Sequence, residues 1–214
     1  MEIVNADIEK YCELHSEQES ALLQKINRET HLEVLMPRML SGHLQGRFLA
    51  MMSKMIRPKC ILEIGTFTGY SALCLAKGLG PNGKLHTIEN RKEDADKAAR
   101  YFAQSPNAHK IELHIGDAKE IIPTLPYKWD IVFIDADKTG YIEYYEMVVP
   151  LLATGGIIIA DNVLFHGEVL EENISGKNAM AIHAFNEHVK NDPRTSQVLL
   201  TIRDGMLLIQ KNEL

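Results

Sequence analysis

From Pro58 onward the sequence alternates short apolar runs with helix-like segments, and this rhythm restricts the chain more than any other feature. Strand-like runs fall at Cys60 to Gly65, Lys84 to Glu89, Lys110 to Ile115, Trp129 to Asp135 and Gly156 to Ala160. Between them lie helical segments at Ser71 to Lys77, Lys92 to Gln104, Ala118 to Thr124 and Tyr141 to Val149. Strict alternation of this kind builds a parallel sheet covered on both faces, with right-handed crossovers. The rhythm breaks after a helix at Ala179 to Val189. Ser196 to Ile202 and Met206 to Gln210 are strand-like and separated only by Arg203-Asp204-Gly205, whose Asp-Gly pair signals a hairpin. The expected fold class is α/β: a doubly wound, mostly parallel seven-stranded sheet with a C-terminal antiparallel hairpin and N-terminal helices. A chain of 214 residues suits one such domain and buries a sizeable core, but is too short for two full-sized catalytic domains.

Ahead of the sheet, Ala6 to about Thr30 is polar with Leu14, Leu22, Leu23 and Ile26 interspersed, which reads as one or two amphipathic helices. Val34 to Leu62 contains no Asp or Glu, yet carries Arg38, Arg47, Lys54, Arg57 and Lys59 together with Met36, Met39, Met51, Met52 and Met55. Two readings are open: a core helix from Leu44 to Ile56 with Met as gap-filler and snorkelling cations, or a flexible wall facing an anionic ligand. A formal net charge of −6 gives no global attraction to phosphate backbones or anionic membranes. The start, Met1 to Asp7, has neither a basic nor an apolar leader region, and the longest aliphatic run, Ile157 to Ala160, is far too short to span a bilayer. Cys12, Cys60 and Cys74 form no C-x-x-C pair, which fits a reducing compartment and excludes structural zinc on cysteine. A cytoplasmic protein with no membrane partner is expected.

In an open parallel sheet, ligands bind beyond the carboxyl ends of the strands, beside the switch in strand order. The first end runs Glu63-Ile64-Gly65-Thr66-Phe67-Thr68-Gly69-Tyr70-Ser71 into a helix, where glycine permits close backbone approach and the helix start favours an anionic group. Its spacing is G-x-x-x-G, without the central glycine of the dinucleotide fingerprint. The second end supplies Glu89, placed to accept both hydroxyls of a ribose, and the third supplies Asp117 and Ala118, which either flank an adenine ring or simply cap the next helix. Turn, ribose clamp and third-strand carboxylate describe a nucleoside pocket with no provision for a pyrophosphate, favouring S-adenosylmethionine over NAD. The fourth and fifth ends carry Asp135 and Asp161-Asn162. In the expected order 3-2-1-4-5 these strands are neighbours, about 4.8 Å apart, so the three side chains converge as an all-oxygen set suited to a hard cation. The pairs His183/His188 and His109/His114 do not share a helical face, no H-E-x-x-H or G-x-S-x-G occurs, and these histidines read as surface or packing residues.

Three segments carry a resemblance: Leu62 to Ser71, Phe133 to Lys138 and Asp161 to Phe165. Through them the sequence resembles the cation-dependent class I O-methyltransferases, which include caffeoyl-CoA and catechol O-methyltransferases, over most of the chain from Met39 to Gln210. The resemblance implies that Ser41, Glu63, Gly65, Thr66, Ser71, Glu89, Ala118 and Asp137 line an S-adenosylmethionine pocket, to which the residue reading adds Asp117. It implies that Asp135, Asp161 and Asn162 hold a divalent cation, Mg²⁺ first, with Ca²⁺ or Mn²⁺ as alternatives. Met39, Phe165 and His166 are expected at the acceptor; Phe165 stands where plant relatives carry Trp, and His166 where they carry an acceptor-touching Asn. Residues 1–57 would be N-terminal helices and a substrate lid of the same domain, and 58–214 the methyltransferase domain, in a homodimer.

A bare phenol, with pKa about 10, is a poor nucleophile at neutral pH. Coordination of vicinal oxygens lowers that pKa; Lys138 and Asp135 are the expected catalytic residues, with Lys138 accepting the proton or stabilising the phenolate, or else serving as a salt-bridge partner on the following helix. The expected reaction is metal-dependent methyl transfer to a hydroxyl of a small catechol-like or acyl-CoA acceptor. The alternatives are methylation of a wobble 5-hydroxyuridine of tRNA, gripped by the basic stretch Arg38 to Lys59, and a nicotinamide oxidoreductase on a similar sheet.

Overall fold

The structure, a computed structural model, describes residues 4–212. The leader reading of Met1, Glu2 and Ile3 lies outside the described residues. Two capped helices open the chain. Asn5 accepts the N–H groups of Asp7 and Ile8 at the start of α1 (Ala6–Leu14), and Ser20 accepts that of Leu23 in α2 (Ala21–Glu33), each satisfying donors that a helix start leaves without partners. A third helix, α3 (His43–Ile56), follows Gly42 at φ 78° and stops at left-handed Arg57, just before Pro58.

The seven strands are β1 (Cys60–Ile64), β2 (Lys84–Glu89), β3 (Ile111–Ile115), β4 (Trp129–Ile134), β5 (Leu152–Asp161), β6 (Thr195–Leu200) and β7 (Met206–Lys211). They form one sheet in the order β3-β2-β1-β4-β5-β7-β6, parallel from β3 to β5 and antiparallel for the last two. The intervening helices are α4 (Tyr70–Leu75), α5 (Lys92–Phe102), α6 (Ala118–Ile121), α7 (Tyr141–Val148) and α8 (Lys177–Lys190). The fifth strand starts four residues before the expected Gly156, because Trp129 pairs with Leu152 ahead of a register shift. The helix expected at Ser71 to Lys77 tightens into a 3₁₀ turn at Ala76–Gly78.

Both faces are buried, as a doubly wound sheet requires. Leu62, Ile64, Val132, Ile134 and Ile158 point to one face under Tyr141, Tyr145, Ile182 and Phe185. Ile61, Leu85, Ile131, Phe133 and Ile159 point to the other under Leu23, Ile26, Leu49, Tyr70 and Leu73. The N-terminal helices therefore contribute to the second face. Ser53 of α3 donates to the Leu75 carbonyl at 2.6 Å, and Gly78 lies so close that a Cβ there would fall 2.1 Å from the Ser53 backbone. The Met-bearing helix is thus half core and half surface: Leu49 and Ala50 are buried while Met51 and Met55 are exposed. Among the described residues, no helix is long and apolar enough to cross a membrane.

Candidate active site

The carboxyl ends of the first five strands open into a cavity of about 600 Å³ that runs from Arg38 to Ser41, past Gly65 to Ser71 and Glu89, to Gly116 to Lys119 on one side and Asp135, Asp161 and Asn162 on the other. Its floor is the turn after β1. Gly65, at φ 99°, donates to the Ile88 carbonyl at 3.0 Å, and a Cβ there would lie 2.0 Å from the Asp135 carbonyl oxygen. Only glycine lets the β1 and β4 ends meet this closely. At Gly69, φ 85°, a Cβ would fall 2.5 Å from the Phe102 ring, so that glycine seats α4 against α5.

Glu89 is fixed by two backbone donors: Phe67 N–H reaches Oε2 at 2.7 Å and Arg91 N–H reaches Oε1 at 2.9 Å. Each oxygen keeps lone pairs for a ligand hydroxyl. Asp117 lines the cavity and also caps the next helix, its Oδ1 accepting Lys119 N–H at 2.9 Å at the start of α6. Glu63 does not reach the cavity wall. It is fully buried beneath the turn, where Thr87 donates to it at 2.5 Å and Thr66 and Thr87 share a hydroxyl contact of 2.5 Å. Burial pushes the Glu63 carboxyl up to about 8, against hydrogen bonds from Ser71 and Thr87 and with help from Asp135 and Glu89. Asp137, after β4, accepts the Tyr144 hydroxyl at 2.5 Å.

The far end is built around one ammonium. Lys138 Nζ donates to Asp135 Oδ1 at 3.1 Å, Asn162 Oδ1 at 2.9 Å and the Tyr141 hydroxyl at 2.6 Å. Burial alone would lower its pKa, but Tyr141, Asp135 and Asp161 outweigh burial and hold the ammonium above the ordinary lysine range. Asp161, 2% exposed, receives Gln45 Nε2 on Oδ2 at 2.7 Å and Asn162 N–H on Oδ1 at 2.8 Å. Its carboxyl is pushed up to about 6, first by burial and then by Asp135, with Lys138, Gln45 and Arg203 opposing. Asn162, at φ 59°, turns its amide into the same space and donates to Asp204 at 3.3 Å. Two carboxylates and an amide oxygen gathered around a cation form a donor set that fits a hard divalent metal.

Of the acceptor residues expected from the sequence, Met39 lies on the cavity wall, while Phe165 and His166 lie outside it. Phe165 packs against the core, and His166 N–H donates at 2.6 Å to Asp204, which also accepts the Asn162 amide. Of the basic residues between Arg38 and Lys59, Arg47 is buried beside Cys74 and meets Lys54 on Glu17, and Arg38 borders the cavity. Sequence reasoning missed Gln45, Tyr141, Tyr144 and Arg203. Arg203, in the hairpin turn at φ 51°, donates to the Ser41 carbonyl and to Gln45 Oε1 at 2.8 Å, and so joins the N-terminal wall to Asp161. Its Arg-Asp-Gly context signalled a turn, and nothing in the sequence marked Gln45.

A seven-stranded doubly wound sheet with an antiparallel end, and a cavity at its carboxyl strand ends between a glycine turn and an acidic far wall, is the architecture of a class I methyltransferase. Residues 13–212 match the O-methyltransferase family model, and the chain belongs to that family. It is 35% identical over 213 residues to "Probable caffeoyl-CoA O-methyltransferase 2" of Dictyostelium discoideum, covering 97% of this chain and 92% of that protein. It is 33% identical to a catechol O-methyltransferase of Niastella koreensis, with 89% and 90% covered. The crystal structure of the O-methyltransferase TomG from Streptomyces achromogenes, involved in tomaymycin synthesis and solved in complex with SAM, superposes with a TM-score of 0.88 at 29% identity, covering 97% of this chain and 96% of that one. The chain is accordingly an S-adenosylmethionine-dependent O-methyltransferase, and family membership sets the nicotinamide reading aside.

Proposed function

We propose that the protein transfers the methyl group of S-adenosylmethionine to one hydroxyl of a small aromatic acceptor with two vicinal oxygens, of the catechol or caffeoyl-CoA type, and that it needs a divalent cation to do so. The observation that carries this reading is the convergence of Asp135, Asn162 and Asp161 at one end of a cavity whose other end offers Glu89 and Asp117. The names of the relatives supply the acceptor class. Asp135, Asp161 and Asn162 would hold the cation, which supplies Lewis acidity that brings a phenol of pKa about 10 within reach of neutral pH.

The chain's own residues do the rest. Glu89 accepts hydroxyls of the donor's ribose, Asp117 holds its adenine, and the Gly65 turn lets backbone pass close beside the nucleoside. Asp137, held by Tyr144, stands next to the reacting end. Lys138 keeps its proton on Nζ and stabilises negative charge on the attacking oxygen, because its carboxylate neighbours favour the ammonium. Holding methyl and oxygen close and in line in a small cavity accounts for much of the acceleration. Exposed apolar side chains at Leu32, Leu35, Met36, Met51 and Met55 support the further reading that the N-terminal face pairs in a homodimer.

The test is an acceptor screen with labelled S-adenosylmethionine, run after EDTA and again with added Mg²⁺, on the wild type and Asp161→Ala. Transfer to catechol-type acceptors should vanish with EDTA and return with Mg²⁺, and Asp161→Ala should abolish the return while still binding S-adenosylhomocysteine. Full activity in a metal-free preparation, or an active Asp161→Ala variant, overturns the metal reading.

A further inference from the structure

On β2 and β3, outside the residues that line the cavity, three side chains meet that methyl transfer does not use. His86 of β2 and Glu112 of β3 are direct partners in the parallel register, and His114 follows Glu112 by two residues, hence on the same face of β3. His86 Nδ1 lies 3.1 Å from His114 Nε2 and 3.5 Å from Glu112 Oε2. One donor atom from each residue falls within 4.8 Å of the other two. Lys84 occupies the other carboxylate oxygen, Oε1, at 2.9 Å, leaving Oε2 turned to the imidazoles. His86 is 1% exposed and packed against the rings of Tyr127 and Trp129, with centroids 4.5 and 5.7 Å away. Its Nε2 is buried without a hydrogen-bond partner, so the ring's polar contacts all run through Nδ1.

We propose that His86 Nδ1, His114 Nε2 and Glu112 Oε2 form a second divalent-cation site, of the two-histidine, one-carboxylate kind, that takes a borderline ion of the zinc class and is separate from the oxygen set at Asp135, Asp161 and Asn162. Ligands placed about 2.0–2.1 Å from a tetrahedral ion stand about 3.3 Å apart, and the two contacts at His86 bracket that spacing. Two imidazole nitrogens select zinc over magnesium, whereas the all-oxygen set does the reverse. Burial pushes both imidazoles below the ordinary histidine range, against the pull of Glu112, which favours neutral rings with a lone pair to offer. Three protein ligands leave a fourth position for water, and Glu112, 41% exposed at the edge strand, opens the site to solvent. An ion here ties the edge strand β3 to β2, and these strands lead to Glu89 and Asp117 in the cofactor cavity. The bound ion therefore stiffens the adenosine side of the cavity from behind.

The experiment titrates metal-stripped protein, held in saturating Mg²⁺ to occupy the oxygen set, with Co²⁺ alone and then Zn²⁺. Wild type should bind one Co²⁺ per chain with the strong visible absorption of a nitrogen-ligated, low-symmetry ion, lose that absorption to Zn²⁺ and unfold at a higher temperature with Zn²⁺ present. Loss of outer-shell partners alone weakens metal sites by about 10- to 100-fold, so His114→Gln should weaken binding by at least about tenfold. Glu112→Gln, at a more exposed side chain, should act in the same direction if His114→Gln folds poorly, and Asp161→Asn should keep the absorption intact. Absence of the absorption in the wild type, its persistence in both the His114 and Glu112 variants, or its loss in Asp161→Asn would each overturn the proposal; the first two would leave the trio as a hydrogen-bonded packing cluster.

Discussion

Replacing Gly65 by alanine tests whether the close meeting of β1 and β4 sets the cofactor turn. The new Cβ would start 2.0 Å from the Asp135 carbonyl oxygen and 2.8 Å from its carbon, both backbone atoms, and ordinary contact begins at 3.4 Å. Relief requires the strand ends to separate by about 1.4 Å, enough to break the 2.9 Å bond from Asp135 N–H to the Ile64 carbonyl. A side chain at φ 99° adds about 1–2 kcal/mol of backbone strain. Overpacking costs about 1–3 kcal/mol and the lost hydrogen bond about 1 kcal/mol. The total, about 3–6 kcal/mol, is a large share of a typical domain's stability and lowers Tm by about 10 °C or more in a chain of this size. Two control glycines separate the causes. Gly155, at φ 72° with nothing within 4 Å, carries only the backbone cost, and Gly80 carries neither. Thermal unfolding should rank Gly80→Ala, Gly155→Ala and Gly65→Ala in order of increasing loss, and calorimetry should find binding of S-adenosylhomocysteine impaired only in the last. A Gly65→Ala protein as stable as Gly155→Ala, with product affinity intact, would refute the reasoning.

Glu63 carries a pH signature. Its folded pKa, about 8, exceeds the ordinary 4.5, so the folded chain keeps a proton that the unfolded chain releases, and metal-free stability should fall as pH rises from about 4.5 to 8. Glu63→Gln should flatten that decline, with a ceiling of about 5 kcal/mol at about 1.4 kcal/mol per pH unit, and leave the smaller fall from Asp161, which ends near pH 6, and the opposing rise from the depressed His86 and His114; urea unfolding at pH 5 and pH 8.5 in EDTA reads the difference between wild type and variant, and parallel profiles would count against a protonated Glu63. Tyr144→Phe removes the 2.5 Å donor to Asp137; with a hydrogen bond to a charged group worth about 1.5–3 kcal/mol, S-adenosylhomocysteine should bind about tenfold or more weakly in calorimetry, with unchanged circular dichroism. Arg203→Ala unties Ser41 and Gln45; initial-rate kinetics should show KM for the methyl donor rising several-fold while Tm moves by less than a few degrees, and unaltered kinetics would deny Arg203 a positioning role.

The parallel sheet and the location of its site were legible in the sequence because both follow from local pattern. Apolar runs alternating with amphipathic helices leave few topologies, and in such a sheet the carboxyl strand ends are where ligands bind. Gly65, Glu89, Asp117, Asp135 and Asp161 could therefore be singled out by position in the chain. What only the tertiary structure decided depends on residues far apart in sequence arriving together. Gln45 reaches Asp161 across 116 positions and Arg203 reaches Ser41 across 162, and no period or motif encodes such a meeting. The same holds for His86 and His114, which look unrelated 28 residues apart until parallel pairing sets β2 against β3. It holds for the environment too: Glu63 reads as a ligand-facing carboxylate in its motif, yet the turn folds over it and burial raises its pKa. Periodicity fixes which face a side chain takes, whereas desolvation and long-range contact are properties of the packed chain, and these decide which carboxylates line the cavity and which lie beneath it.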